Sequence, residues 1–273
     1  MEQFLEIYKT SDLEAVYVYQ FETGGLADFI KFAIKVINFC YVKRIKFYVF
    51  INHPLAEFIQ FKFQFMNFAN RFPNPHFEIQ SYNRLRLIKN AELTLSAKMQ
   101  ILPDYCYTED WPIALPSGIR FQDIMDFKPM IYASVPALPP NYVAVHLRLG
   151  DLHMECAKGF TGPTTDSRKW NESQLCSLLE ELHSQGKEIV FLSDNRNYKK
   201  RLMNKYPWLH MTEMKIGHIG LQYVSSDDIL NTILEFVIIM KSSHIYAASY
   251  SGFNEIASMI SGTPITKLYN TTN

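Results

Sequence analysis

The chain has no net charge to offer: its 27 Lys and Arg residues balance 27 Asp and Glu residues. No basic block stands out either, so nucleic acid and membrane surfaces are not expected partners. No uninterrupted apolar run approaches the roughly 20 residues of a membrane helix. The first residues, Met1 to Lys9, lack the basic start and apolar stretch of a signal peptide. The four cysteines, Cys40, Cys106, Cys156 and Cys176, include no C-x-x-C pair and no histidine at zinc-ligand spacing. They read as free thiols of a reducing compartment, although an even count leaves disulfides open. A soluble, cytoplasmic protein is expected. Chemical signatures are also missing. Gly24-Gly25 is not the G-x-G-x-x-G fingerprint, which speaks against a nicotinamide enzyme. There is no Walker lysine motif, no H-E-x-x-H, no G-x-S-x-G, and no Asp-x-Asp of a metal-chelating sugar transferase.

What the chain does have is apolar material. Hydrophobic residues make up 48% of its 273 residues, enough to bury a sizeable core and to exclude disorder. The length suits one large domain or two of roughly 135 residues. Glu14 to Gln20 reads as a strand, followed by Thr23-Gly24-Gly25 and a helical pattern of Phe29, Ile30, Ala33, Ile34 and Ile37. Lys46 to Ile51 reads as the next strand, so a βαβ unit and a parallel sheet begin here. The many phenylalanines of residues 55–70 predict a core-facing helix. Residues 103–141 hold most of the prolines and predict a helix or two within long connections. Beyond them, strands at 142–147, 188–192, 244–248 and 263–269 alternate with helices at 171–185, 199–206, 228–242 and 254–260. Ser226 and Asp227 are the cap candidates of the long apolar helix. The fold class is α/β. The run from Pro136 to Pro140 marks the boundary between two Rossmann-like domains, 1–138 and 139–273, that face each other across a cleft.

The most informative stretch is Tyr142-Val-Ala-Val-His-Leu-Arg-Leu-Gly-Asp151. Strand alternation puts His146 and Arg148 on one face at the carboxyl end, where open α/β sheets bind ligands. Arginine grips phosphate oxygens through a planar, bidentate fork, so an anionic, phosphorylated ligand is expected. The competing reading is a core histidine and a surface cation. The Ser249-Tyr250-Ser251-Gly252-Phe253-Asn254 loop lies between a strand and a helix, where backbone N–H groups attract anions; it could equally be an ordinary turn with a serine cap. Asp194 either accepts from a sugar hydroxyl or base N–H, or caps the next helix. Glu235 is the lone charge of an apolar helix, with Asn231 and Thr232 at helical spacing, and reads more as a solvated stripe than as a ligand contact. Asp28 could cap a helix or face the cleft.

In this order the pieces resemble the fucosyltransferase superfamily of the GT-B type. Gly24-Gly25-Leu26-Ala27-Asp28 matches its first glycine loop, and His146-Leu-Arg148-Leu-Gly150-Asp151 its central motif. Ser193-Asp194-Asn195 matches a later strand end, while Glu235, His244 and Ser249–Phe253 match its last motif. Ala27 departs from the usual glycine, Glu235 from the usual aspartate, and Leu149 from a second arginine. The resemblance implies a metal-independent, inverting enzyme without a cofactor, moving L-fucose from GDP-fucose to a glycan or glycoconjugate hydroxyl. It also implies a nucleotide-sugar donor held by the C-terminal domain through His146, Arg148, Asp194, Glu235 and Ser249 to Phe253, with Gly24 and Gly25 of the N-terminal domain as further donor-binding residues and the acceptor on the N-terminal domain. Arg148 would stabilise the leaving diphosphate. Glu155 would be the general base, with Asp28 and His153 as the other candidates. Another donor sugar, such as xylose or rhamnose on UDP or GDP, and a non-catalytic sugar-nucleotide or glycan-binding protein are the alternatives.

Overall fold

The computed structural model describes residues 2–20, 24–67, 99–103, 112–150, 153, 168–220 and 224–269. It is a mixed α/β structure that divides into two compact units, Met1–Lys128 and Pro129–Asn273.

The first unit is built on strand β1 (Glu14–Gln20), whose middle five residues are all buried. It pairs in parallel with β2 (Lys46–Asn52) on one side and β4 (Met99–Pro103) on the other. A central parallel strand needs cover on both faces, and alternation supplies two different sets of side chains. Tyr17 and Tyr19 pack on Phe29 of helix α2 (Leu26–Lys43), with ring centroids 5.9 and 4.9 Å apart. Val16 and Val18 lie on the other face with Tyr48 and Tyr8. Tyr8 belongs to helix α1 (Glu2–Thr10), an element with no counterpart in the sequence expectation. Over 55–67, the described part of the helix expected at 55–70, no α-helix forms. Pro54–Glu57 and Gln64–Met66 are 3-10 turns, and strand β3 (Ile59–Phe61) pairs antiparallel with β5 (Met125–Phe127). Of the phenylalanines read at helical spacing, Phe61 ends β3, Phe63 precedes the second 3-10 turn and Phe65 lies within it, 46% exposed.

The second unit opens with helix α3 (Pro129–Ala133), whose Tyr132 ring sits 5.8 Å from the Lys241 ammonium of helix α6 (Ser226–Lys241). The second unit begins at Pro129 and so includes Pro136 to Pro140. The sheet runs β10 (Ile265–Lys267), β9 (His244–Ala247), β6 (Val143–Leu147), β7 (Ile189–Ser193), β8 (His210–Met211), all parallel. Every residue of β6 and β7 is buried, which is why both read as unbroken apolar runs. Val143, Val145 and Leu147 face one way, into a core with Leu175, Leu179 and Leu182 of helix α4 (Glu172–Ser184) and Leu202 of helix α5 (Arg196–Lys205). Ala144 and His146 face the other way, where Phe253 of helix α7 (Gly252–Ser261) stacks on the His146 ring at 5.8 Å and meets Phe236 of α6 at 4.9 Å.

From β6 the chain proceeds to β7 and β8 on one side, then returns to β9 and β10 on the other. The strand order therefore reverses between β6 and β9. Such a switch point leaves a crevice beyond the carboxyl ends of the two strands, the habitual ligand position of open α/β sheets. Among the described residues, no helix is long and apolar enough to cross a membrane, and Cys40 and Cys176 are free thiols.

Candidate functional site

Three strand ends meet at that reversal, and each delivers polar side chains. Arg148 follows β6, Ser193-Asp194 closes β7, and Ser249 to Phe253 follow β9. The Ser249 hydroxyl locks two of them together: it accepts from the Arg148 N–H at 2.9 Å and donates to the Arg148 carbonyl at 2.7 Å. The Asp194 carboxylate holds the third. It accepts from the N–H groups of Leu149 (2.8 Å) and Gly150 (3.0 Å) and pairs with Nη1 of Arg148 at 2.9 Å. Gly150 has φ +108°, a backbone that side chains other than hydrogen rarely tolerate, so the turn depends on it. Arg148 is thus fixed in direction by a carboxylate that is itself fully bonded, the arrangement that pre-organises a charged side chain.

Asp194 does not cap the next helix. Asn195 does, accepting from the Tyr198 N–H at 2.8 Å, and its Nδ2 donates to the His153 carbonyl at 2.8 Å. At the other strand, Ser251 caps α7 by accepting from the Phe253 N–H at 3.3 Å. The α7 N-terminus therefore points its first N–H groups toward the switch point, as an anion site requires.

Behind Arg148 lies a set of buried ionisable groups. Glu235 is only 1% exposed, which overturns the solvated-stripe reading. Burial pushes its carboxyl up to about 7; Asp194 adds to the rise, while Lys199, Arg148 and the Ser193 N–H oppose it. His146 is buried too, as the core-histidine reading had it. Burial, then Arg148, then Lys199 depress its ring to about 3, leaving a neutral imidazole at ordinary pH. Lys199 is buried and donates to the Met214 carbonyl at 3.0 Å. The Asn254 amide lies beside the His146 ring and favours its protonated form. Even so, His146 Nδ1, Glu235 Oε1 and both ends of the Asn254 amide lack a well-formed hydrogen bond to any described residue. Buried polar groups without partners cost about 1–3 kcal/mol each, so their gathering near Arg148 makes this the candidate site of the second unit.

In the first unit, Gly24 and Gly25 open α2. A Cβ on Gly24 would stand 2.3 Å from Cβ of Asp28, so glycine is required there by close approach. Asp28 accepts from the Gly25 N–H at 3.2 Å and pairs with Lys31 at 3.0 Å, the capping role among its two readings. Glu155 lies outside the described residues, as does Asp151. His244, nine residues beyond Glu235, sits at the amino end of β9 with its ring on Thr266 at 2.8 Å, away from the carboxyl-end crevice. Leu149 turns into the α4 and α5 core. Among the described residues, no three His, Cys, Asp or Glu side chains converge as a metal site.

Sequence reasoning named Asn195 and Asn254 only as members of their motifs, without a role, and missed Lys199 and Arg168. The Arg168 N–H bonds the Leu149 carbonyl at 2.9 Å, and its guanidinium lies 5.6 Å from the Tyr250 ring centroid.

No family model matches the sequence, and no curated protein matches it. Solved structures do. The fucosyltransferase NodZ from Bradyrhizobium is similar with a TM-score of 0.58 at 11% identity, covering 97% of this chain and 97% of its own. NodZ alpha-1,6-fucosyltransferase soaked with GDP-fucose gives 0.55 at 10% identity, covering 92% and 93%. An Arabidopsis thaliana FUT1 mutant in complex with GDP gives 0.56 at 9% identity, covering 100% of this chain and 76% of its own. The fold is that of the fucosyltransferases.

Proposed function

We propose that this protein is a glycosyltransferase that moves L-fucose from GDP-fucose to a hydroxyl of a glycan or glycoconjugate, with inversion at the sugar carbon. The observation that carries the reading is the convergence of Arg148, the Ser249–Phe253 loop and Asp194 at the switch point of the second unit. Its fold is shared with a fucosyltransferase soaked with GDP-fucose and with a FUT1 mutant in complex with GDP.

Transfer breaks the bond between the sugar carbon and the diphosphate oxygen, and the electron pair leaves with GDP. Negative charge grows on the diphosphate as the acceptor oxygen attacks the opposite face. Arg148 and the N–H groups at the start of α7 stabilise that charge where it develops, and no metal is called upon. Removing one such donor commonly costs about 10²–10³ in rate. Ser249 and Asp194 act through Arg148 by holding it. His146, neutral and stacked on Phe253, and Glu235 line the buried side and offer polar atoms to the donor. The second unit binds the donor and the first unit the acceptor. Glu155 takes the acceptor proton. Asp28 is less suited, because it already serves the α2 cap and Lys31.

The test is donor turnover and GDP binding by the intact chain and two variants. Arg148→Ala should lose turnover by at least 10²-fold and bind GDP more weakly, with circular dichroism unchanged. Glu155→Gln should lose turnover and keep GDP binding. A fully active Arg148→Ala protein removes the centre of this reading. GDP binding without hydrolysis or transfer by the intact protein would leave a sugar-nucleotide-binding protein instead, and turnover of a xylose or rhamnose donor in place of GDP-fucose would change the sugar.

A further inference from the structure

Lys199 is a buried charge to which the transfer chemistry gives no part. It lies in α5 four residues past the Asn195 cap, and its main-chain N–H bonds the Asn195 carbonyl at 3.1 Å, which roots it at the carboxyl end of β7. Lysine is almost never fully buried unless its charge is paired. Lys199 is 3% exposed, and its ammonium donates one hydrogen bond, at 3.0 Å to the Met214 carbonyl beyond β8. A carbonyl compensates only part of a buried ammonium. Among the described residues, no carboxylate forms an ion pair with it.

The two acids nearby do not settle that charge. Asp194 is engaged with Nη1 of Arg148 and with the N–H groups of Leu149 and Gly150. Glu235 feels Lys199 more strongly than it feels either Asp194 or Arg148, so Lys199 is its main electrostatic partner. Burial nevertheless keeps the Glu235 carboxyl at about 7, so near neutral pH it is only partly ionised and offsets Lys199 only in part. The His146 ring feels both Arg148 and Lys199 and is held neutral. The result is a fixed excess of positive charge within reach of the groups that surround Arg148. Where water is excluded, such a field acts over several ångströms without contact. An anion entering the crevice relieves the cost of the buried ammonium, and an uncharged ligand does not.

We propose that Lys199 is a specificity-determining residue of the site: its buried ammonium, balanced only in part by Glu235, supplies the positive field that favours a diphosphate over an uncharged nucleoside. This deepens the nucleoside-diphosphate reading above and rests on it. GDP and guanosine are titrated calorimetrically into the full chain. The ratio of their affinities isolates the phosphates, because contacts to the base and ribose cancel. Lys199→Met keeps the stem and removes the charge; it should lower the ratio roughly tenfold, the size of one charge interaction in a partly dry site. Glu235→Gln leaves Lys199 and its bond to Met214 in place and removes only the counter-charge. At pH 8, where the parent carboxyl is ionised, it should raise the ratio by about threefold or more. A lysine that merely pins the segment after β8 would move GDP and guanosine alike in Lys199→Met and would give no rise in Glu235→Gln. An unchanged ratio in Lys199→Met overturns the inference while the proposed function stands, and so does an equal loss of both ligands. Should Lys199→Met not fold, the Glu235→Gln arm decides, and a ratio at or below the parent's overturns the inference. If the parent protein binds no GDP at all, the functional reading fails first and takes this one with it.

Discussion

Glu235 offers a sharp test of how the buried site is built. It is 1% exposed and its carboxyl is held at about 7, against an ordinary value of 4.5. The cause is mainly lost hydration, moderated by Lys199, Arg148 and the Ser193 N–H. Between those two pH values the unfolded chain gives up this proton while the folded chain keeps it. Stability therefore falls as pH rises through the window and is fully retained below 4.5. At about 1.4 kcal/mol per pH unit, the whole rise is worth about 3 kcal/mol. Glu235→Gln keeps the shape of the protonated acid and removes the titration. The variant should match the parent near pH 4.5 and exceed it by up to about 3 kcal/mol above pH 7.

The difference curve matters, because His146 works the other way. Its folded value near 3 lies below the ordinary 6.5, so its contribution is complete above 6.5 and is lost as pH falls through that window. The raw stability profile of either protein mixes both groups, whereas subtraction isolates Glu235. Urea unfolding at half-unit steps from pH 4.5 to 8 is the assay, in a Trp111→Phe background. Fluorescence then reports Trp170 and Trp208, both packed against the core of the second unit. Parallel curves for the two proteins across that range would refute the buried-acid account, and with it the placing of Glu235 behind Arg148.

Two further substitutions probe the frame of the site. Ser249→Ala removes both hydrogen bonds to the Arg148 main chain; it should cost about 1–3 kcal/mol in urea unfolding and lower donor turnover, and an unchanged turnover would show that Arg148 needs no lock. Gly24→Ala drives a methyl group to 2.3 Å from Cβ of Asp28; it should cost about 1–3 kcal/mol, as overpacking does, and a neutral effect would mean that the α2 entrance yields freely.

The strands of the second unit could be read because burial on both faces writes itself as unbroken apolar runs, in Val143 to Leu147 and Ile189 to Leu192 alike. Helix ends were less exact, and the errors have consequences. Asn195, one residue past Asp194, takes the cap, which releases Asp194 to hold Arg148; Ser225 rather than Ser226 or Asp227 caps α6. Phe61, Phe63 and Phe65 were assigned a helical period, but the chain there breaks into the short strand β3 and a 3-10 turn. Helix α1 buries only Phe4 and Ile7, too little periodicity in nine residues to stand out. Lys199 was hidden by composition: it sits in Lys199-Lys200-Arg201, a run that looks like solvated surface, and only the fold turns one of the three inward.

Glu235 is the instructive error, because the signal was present. A helix that is apolar on every side is buried on every side. Such a helix has no solvated stripe for a carboxylate in its middle to occupy, so Glu235 had to be inside. A charge inside needs compensating partners, and those could come only from neighbouring elements. Nothing along the chain says which ones. Arg148, Asp194 and Lys199 are brought to it from β6, β7 and α5 by strand order, and strand order is the property that a linear pattern carries least. The individual groups were thus readable as candidates, while their assembly into one site followed from the reversal between β6 and β9.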